Sequence, residues 1–125
     1  MNINKDLVAA SSTPLVLAIL AEEDSYGYAI LSRVRDLSGG ELEWTDGMLY
    51  PILHRLERFG LITSRWERSE SGRRRKYYRL TATGRGQLLD EQRQWLTVDQ
   101  TLRRLWSTLS ESTDGAGLSP LPDAS

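Results

Sequence analysis

Apolar positions in this 125-residue chain change period several times, and each change marks an element. Leu15, Val16, Leu17, Ile19 and Leu20 make one segment apolar nearly all round, the pattern of a helix central to a core. Thr13 and Pro14 read as its N-cap and first helical position, leaving residues 1–12 as an N-terminal arm. Glu22-Glu23-Asp24 ends it. Ser25 can cap a second helix, in which Tyr28, Leu31, Val34 and Leu37 recur at helical spacing and Gly39-Gly40 is the stop. Glu41-Leu42-Glu43-Trp44 alternates, which suits a short strand or an extended linker. Thr45 caps a third helix with Leu49, Ile52, Leu53 and Leu56 as the inward stripe. The face expected to point outward carries Met48, Tyr50, Pro51, His54, Arg55 and Arg58. Pro51 removes a backbone donor and crowds the Gly47 carbonyl, a conflict best tolerated in the first two turns. Gly60 ends the helix.

Two runs rich in β-formers follow, Leu61–Trp66 and Lys76–Leu80, joined by a polar turn at Ser69–Gly72. They predict an antiparallel hairpin with Arg73, Arg74, Arg75 and Lys76 at its tip. Thr81 caps a long last helix in which Leu88, Trp95, Leu102 and Leu109 repeat every seven residues, with Val98 and Leu105 between them. Only Glu91 interrupts this seam. A helix on the order of 40 Å long cannot be covered by so small a domain, so its stripe is expected to dimerise with a second copy. The predicted fold is α+β, mainly α: a winged helix-turn-helix with a long C-terminal dimerisation helix. Its parts are an arm (1–12), a DNA-binding domain (13–80), the dimerisation helix (81–109) and a Ser/Asp/Gly/Pro-rich tail (110–125) expected to be disordered.

Composition narrows the function. With 39% hydrophobic and 26% charged residues the chain is ordinary globular protein. It has no cysteine, so disulfides and thiolate metal sites are excluded. Its longest apolar run is too short to span a bilayer, and residues 1–6 lack a signal-peptide layout; the reading is a cytoplasmic protein with no membrane partner. Net charge is only −1, but its distribution is uneven. Residues 54–79 hold nine Lys/Arg against three acids, while 1–53 hold three against eight. Positive charge gathered on one segment of a near-neutral chain is an electrostatic footprint for nucleic acid.

Catalysis finds no support. There is one histidine, and no nucleophile elbow, metalloprotease motif or P-loop. Gly84-Arg85-Gly86 is at most a weak phosphate loop, and Glu22-Glu23-Asp24 point in different directions. No metal or cofactor is implied. Double-stranded DNA fits better. The capped helix start around Thr45 and Gly47 aims backbone N–H groups at a phosphate. In the major groove Arg55 suits guanine edges, Tyr50 and His54 suit phosphates or base edges, and Met48 suits a thymine methyl. Arg73, Arg74, Arg75 and Lys76 would anchor the backbone or a narrow minor groove. Plainer readings stand beside these: Tyr50 packing on the hairpin, Arg58 pairing with Glu57 or Asp36, and a winged helix that binds protein in place of DNA.

Three stretches carry a resemblance: Y-G-Y-x-I at Tyr26–Ile30, M-L-Y-P-I-L-H-R-L-E at Met48–Glu57, and G-R-R-R-K-Y-Y-R-L-T-x-x-G at Gly72–Gly84. They are similar to signatures of PadR-family transcriptional regulators. The single C-terminal helix resembles the compact subgroup that includes the lactococcal multidrug-responsive repressor. That resemblance implies a homodimeric repressor in which Trp95 stacks on a planar, often cationic aromatic ligand at the dimer centre and Asp99 supplies counter-charge. Trp95 also falls in the seam, so it is either that platform or a plain dimer-core aromatic. The chain departs from many members at Asp46-Gly47-Met48, where they carry Pro-Gly-Thr, so a hydroxyl able to contact DNA is missing and a different operator preference is expected. A regulator without a small-molecule pocket is the alternative. Operator sequence, inducer and regulated genes do not follow from these residues.

Overall fold

Asn4 opens the first helix, its side-chain oxygen accepting from the Asp6 backbone N–H at 2.7 Å. The computed structural model describes residues 2–112. Helix α1 (Lys5–Glu22) runs straight through Thr13-Pro14, so the expected start there is nine residues late. The reason is local. Ser11 Oγ donates to the Leu7 carbonyl at 2.7 Å and Ser12 Oγ to the Ala9 carbonyl at 2.8 Å, so these hydroxyls serve the helix and do not interrupt it. An interior proline costs about 3 kcal/mol. Burial of Val16, Leu17, Ile19 and Leu20 just beyond it, at roughly 1.5–3 kcal/mol each, outweighs that.

Ser25 does not cap a helix. With Tyr26 it forms a two-residue strand, β1 (Ser25–Tyr26), opposite Tyr78 and Tyr77. Helix α2 (Gly27–Leu37) then buries Gly27, Ile30 and Val34, while Tyr28 and Leu37 of the expected stripe are exposed. Residues 41–44 form an extended linker, not a strand. Helix α3 (Asp46–Arg58) follows, capped by Thr45, whose Oγ1 accepts from Met48 N at 3.3 Å. Gly60 takes a φ of 74° to turn the chain out of it, and Leu61 N reaches back to the Leu56 carbonyl at 2.9 Å. Strands β2 (Ile62–Arg68) and β3 (Arg74–Leu80) form the hairpin, and the antiparallel sheet has the order β1-β3-β2. One core joins Val16 and Leu17, Ile30, Leu49 and Leu53, Ile62 and Tyr78.

Thr81 latches the next element to the hairpin. Its hydroxyl donates to the carbonyls of Gly60 and Leu61 and accepts from Gly84 N at 3.0 Å. Helix α4 (Ala82–Ser112) extends three residues past the expected end, and the rest of the expected tail, from 113 onward, lies outside the described residues. Gly84 is buried against the hairpin's base and is no phosphate loop. By packing, the chain divides into Met1–Glu91 and Gln92–Ser125, so the first turns of α4 belong with the winged helix. No described helix is long and apolar enough to cross a membrane.

The last residue of the first unit carries a testable cost. Glu91 Oε2 is buried with no hydrogen-bond partner, and burial pushes its carboxyl pKa up from 4.5. A raised carboxyl binds its proton more tightly folded than unfolded, so it lowers stability above the folded pKa and the deficit vanishes as pH falls towards 4.5. Glu91→Gln is expected to gain roughly 0.5–1 kcal/mol near neutral pH and nothing at about pH 4. Urea melts at the two pH values read this directly; an equal gain at both would show that the charge is not the cause.

Candidate nucleic-acid interface

Helix α3 has two unlike sides because its apolar residues recur at helical spacing. Leu49, Ile52, Leu53 and Leu56 are buried, and opposite them Gly47, Pro51, His54 and Arg58 recur at intervals of four, three and four, all exposed. This stripe is the solvent-facing side of the helix. Arg58 does not pair with Glu57 or Asp36 as the plainer reading had it. It lies over the Phe59 ring at 5.8 Å, while Glu57 accepts from Ser64 Oγ at 2.6 Å. Ser64 on β2 thus removes the competitor that sequence spacing suggested.

The other candidates on α3 sit on its flanks. Met48 is half-buried against the core and does not point outward as expected. Arg55 is exposed, and its Nη2 donates to Thr13 Oγ1 on α1 at 3.2 Å. Tyr50, 41% exposed, packs beside the start of α2: a Cβ placed on Gly27 would come within 2.7 Å of its hydroxyl. The neighbouring Tyr78 is fully in the core. Burial raises its phenol pKa, helped by charge on Tyr50 and Glu57.

Register reorganises the hairpin. Arg68 pairs with Arg74, Glu67 with Arg75 and Trp66 with Lys76, so Arg74, Arg75 and Lys76 lie in β3 and only Arg73 lies in the turn. The expectation of four cations at the tip is therefore corrected: the ladder extends to Arg74 because Ser69 N bonds the Arg73 carbonyl at 2.7 Å and Gly72 takes a φ of 85°. Strand residues alternate faces. Arg74 and Lys76 share the face of buried Tyr78 and Leu80, and Arg75 shares the opposite face with Tyr77 and Arg79. Each cation is matched to a ring. Arg74 lies 5.0 Å from the Trp66 centroid, Arg75 4.3 Å from Tyr26, and Lys76 5.8 Å from Tyr78. At exposed sites such pairs contribute about 0.5–1 kcal/mol. Such contacts restrict these side chains, which leaves less side-chain freedom to be lost in any further contact.

Sequence reading missed Trp66, Tyr26 and Arg65 as parts of this surface. Counting back from the turn would have set Trp66 opposite Lys76, but nothing local flagged β1. Arg65 is held by Asp24 at 2.8 Å and also by Glu67, and these hydrogen bonds raise its already high pKa. It braces the hairpin and offers less charge to a ligand.

In the second unit, α4 exposes Leu96, Val98, Leu102, Leu105, Trp106 and Leu109, while Trp95 is half-buried. Asp99 stands one turn beyond Trp95 and is paired with Arg103 Nε at 2.9 Å. Leu88, also expected in the seam, is partly buried against the core of the first unit. Among the described residues no group of His, Asp or Glu could hold a metal.

Known proteins share this arrangement. A transcriptional regulator from Clostridium thermocellum superposes with a TM-score of 0.74 at 28% identity, covering 82% of this chain and 96% of that one. A PadR family regulator from hypervirulent Clostridium difficile gives 0.68 at 32%, covering 76% and 97%. The transcriptional regulator YqjI of Escherichia coli is 36% identical over 80 residues, which is 64% of this chain and only 36% of YqjI. Residues 16–90 match the model of the transcriptional regulator PadR-like family, more than half of the chain. The chain therefore belongs to the PadR-like family of transcriptional regulators, and binding DNA, not catalysis, is its work.

Proposed function

We propose that the chain is a homodimeric repressor, released from its operator by a small planar ligand held between the Trp95 rings of two copies. The observation that carries this is the apolar length of α4: Val98, Leu102, Leu105 and Leu109 are each 38% or more exposed in the single chain. Covering that stripe with a second copy brings two Trp95 side chains to one seam, where they can sandwich a flat cation. In the first unit, the Gly47–Arg58 stripe with Tyr50 reads bases, and Arg73, Arg74, Arg75 and Lys76 anchor the backbone. Release follows if the ligand favours a dimer whose recognition helices no longer match half-sites about 34 Å apart.

A second reading, a regulator with no ligand at the dimer centre, is favoured by Asp99. Its carboxylate is already paired with Arg103, which a cationic ligand must displace. A planar cationic dye such as Hoechst separates the two. Dye fluorescence is expected to be quenched by the wild type and not by Trp95→Ala, with both proteins dimeric by sedimentation. Quenching that survives in Trp95→Ala removes the platform; none in the wild type leaves the second reading.

A further inference from the structure

Three serines follow an arginine by three positions, the spacing that arginine-directed kinases select: Ser38, Ser71 and Ser107. Ser38 is committed to the end of α2, its hydroxyl donating to the Arg35 carbonyl at 3.1 Å and accepting from Leu42 N at 2.9 Å. Ser107 lies inside α4, where the backbone is closed into the helix. Ser71 differs. It is exposed in the turn of the hairpin, and its hydroxyl shares a hydrogen bond of 2.9 Å with Ser69 Oγ. Beyond Trp66 and Lys76 the hairpin touches the core nowhere, so little opposes drawing the turn into the extended form that a kinase cleft requires.

The charges around the turn favour an added anion. Arg68 faces Arg74 directly across the ladder, and like charges so placed repel. Arg68 Nη1 already reaches the tip, donating to the Gly72 carbonyl at 3.2 Å, one residue from Ser71. Glu67, beside it on β2, is held by Arg65. A phosphate displaces a peptide carbonyl from a guanidinium, because the charge-assisted bond is roughly twice as strong.

We propose that Ser71 is phosphorylated by an arginine-directed serine kinase, and that the phosphate, captured by Arg68 and Arg73, detaches the wing from DNA. This rests on the reading of the wing as the backbone anchor. In the transfer Ser71 Oγ bonds the γ-phosphorus of ATP and the bond to the β–γ bridging oxygen breaks. ADP leaves, and the hydroxyl proton passes to the kinase's base. The product carries a charge of about −1.5 to −2 near neutral pH. Residues 67–76 hold five cations and two acids, so the outer wing falls from +3 to about +1 to +1.5. Two of its arginines are then engaged within the chain, and the dianion itself repels a DNA phosphate.

Treating the full chain with calmodulin-dependent protein kinase II and magnesium ATP is expected to place one phosphate on Ser71 and none on Ser71→Ala, read by peptide mass spectrometry. Label on Ser38 or Ser107 in place of Ser71, or no label, overturns the proposal. Full chain made with phosphoserine encoded at position 71 is then titrated on duplex DNA by anisotropy. Its affinity is expected to fall at least ~tenfold on any sequence, and the salt slope to flatten by roughly 0.9 for each arginine claimed. Ser71→Ala should bind as the unmodified chain does. Phosphorus NMR reads the capture: the second pKa of the phosphate should lie below its usual value of about 6 and return towards it in Arg68→Gln. A value that Arg68→Gln leaves unmoved overturns the capture. Full DNA affinity in the phosphorylated chain overturns the proposal alone if the chain lacking Arg73, Arg74 and Arg75 binds weakly. Full affinity in both shows that the wing is no anchor, and the proposal falls with that reading.

Discussion

Replacing Arg73, Arg74 and Arg75 together by alanine is expected to weaken binding to duplex DNA of any sequence by on the order of 100-fold or more at physiological salt. The slope of log affinity against log salt should flatten by roughly 0.9 for each phosphate no longer neutralised, hence by about five for a dimer with three on each wing. The positions differ in a way the register explains. Arg73 stands in the turn, Arg74 is braced by Trp66 on one face of β3, and Arg75 by Tyr26 on the other. Trp66→Leu leaves every charge in place and removes one brace, so it should lower affinity only a few-fold and leave the salt slope unchanged. Anisotropy titrations over a salt series measure both quantities. Far-UV circular dichroism should be unaltered, because none of the three arginines lies in the core. Full affinity in the triple variant would assign the wing to protein binding. By contrast Arg58→Ala, on the outward stripe of α3, should cost about 1–3 kcal/mol at one base-pair position and leave other positions alone.

The largest expected effect on stability comes from a single methyl group. A Cβ at Gly84 would sit 2.0 Å from the Leu61 carbonyl oxygen and 2.7 Å from Leu80 Cδ1. The oxygen cannot retreat cheaply, because it accepts from Thr81 N at 3.1 Å and Thr81 Oγ1 at 3.0 Å. Gly84 is not among the glycines with positive φ, so space and not backbone conformation demands it. Gly84→Ala is therefore expected to destabilise by about 3 kcal/mol or more, lowering Tm by on the order of 15 °C. Gly86, two residues on, has nothing within 4 Å of an added Cβ, and Gly86→Ala should stabilise by about 0.5–1 kcal/mol through helix propensity. Calorimetry on the pair decides the matter. If both variants gain stability, the close approach of α4 to the hairpin is wrong.

Much of the fold is readable in the residues because several levels agree. Thr45, the Leu49–Leu56 stripe and Gly60 specify α3 by cap, period and stop, and α3 spans Asp46–Arg58. Alternation around a Gly-containing turn specifies the hairpin. Local signals mislead where tertiary packing overrides them. Thr13-Pro14 looks like a helix start, yet the core beyond it keeps α1 continuous. Ser25 has a capping side chain, but edge pairing to β3 claims its backbone. A two-residue strand has no period to detect. Met48 is expected on the outward face, yet it lies only about a quarter-turn from the buried stripe and is partly buried against the core. Which residues read bases depends on the DNA as well as on the chain, and no pattern within one chain specifies that.

The hairpin's anchoring has a consequence for how such regulators diversify. Ile62, Tyr78 and Leu80 lock the register at its base in the core, while residues beyond Trp66 and Lys76 touch that core nowhere. Turn length and charge beyond that point can therefore drift with little penalty in folding. Adding residues in pairs preserves which side chains face which way; adding one in the strands would turn Tyr78 outward. New operators are thus reachable by lengthening or recharging the outer wing while the body that carries it stays the same.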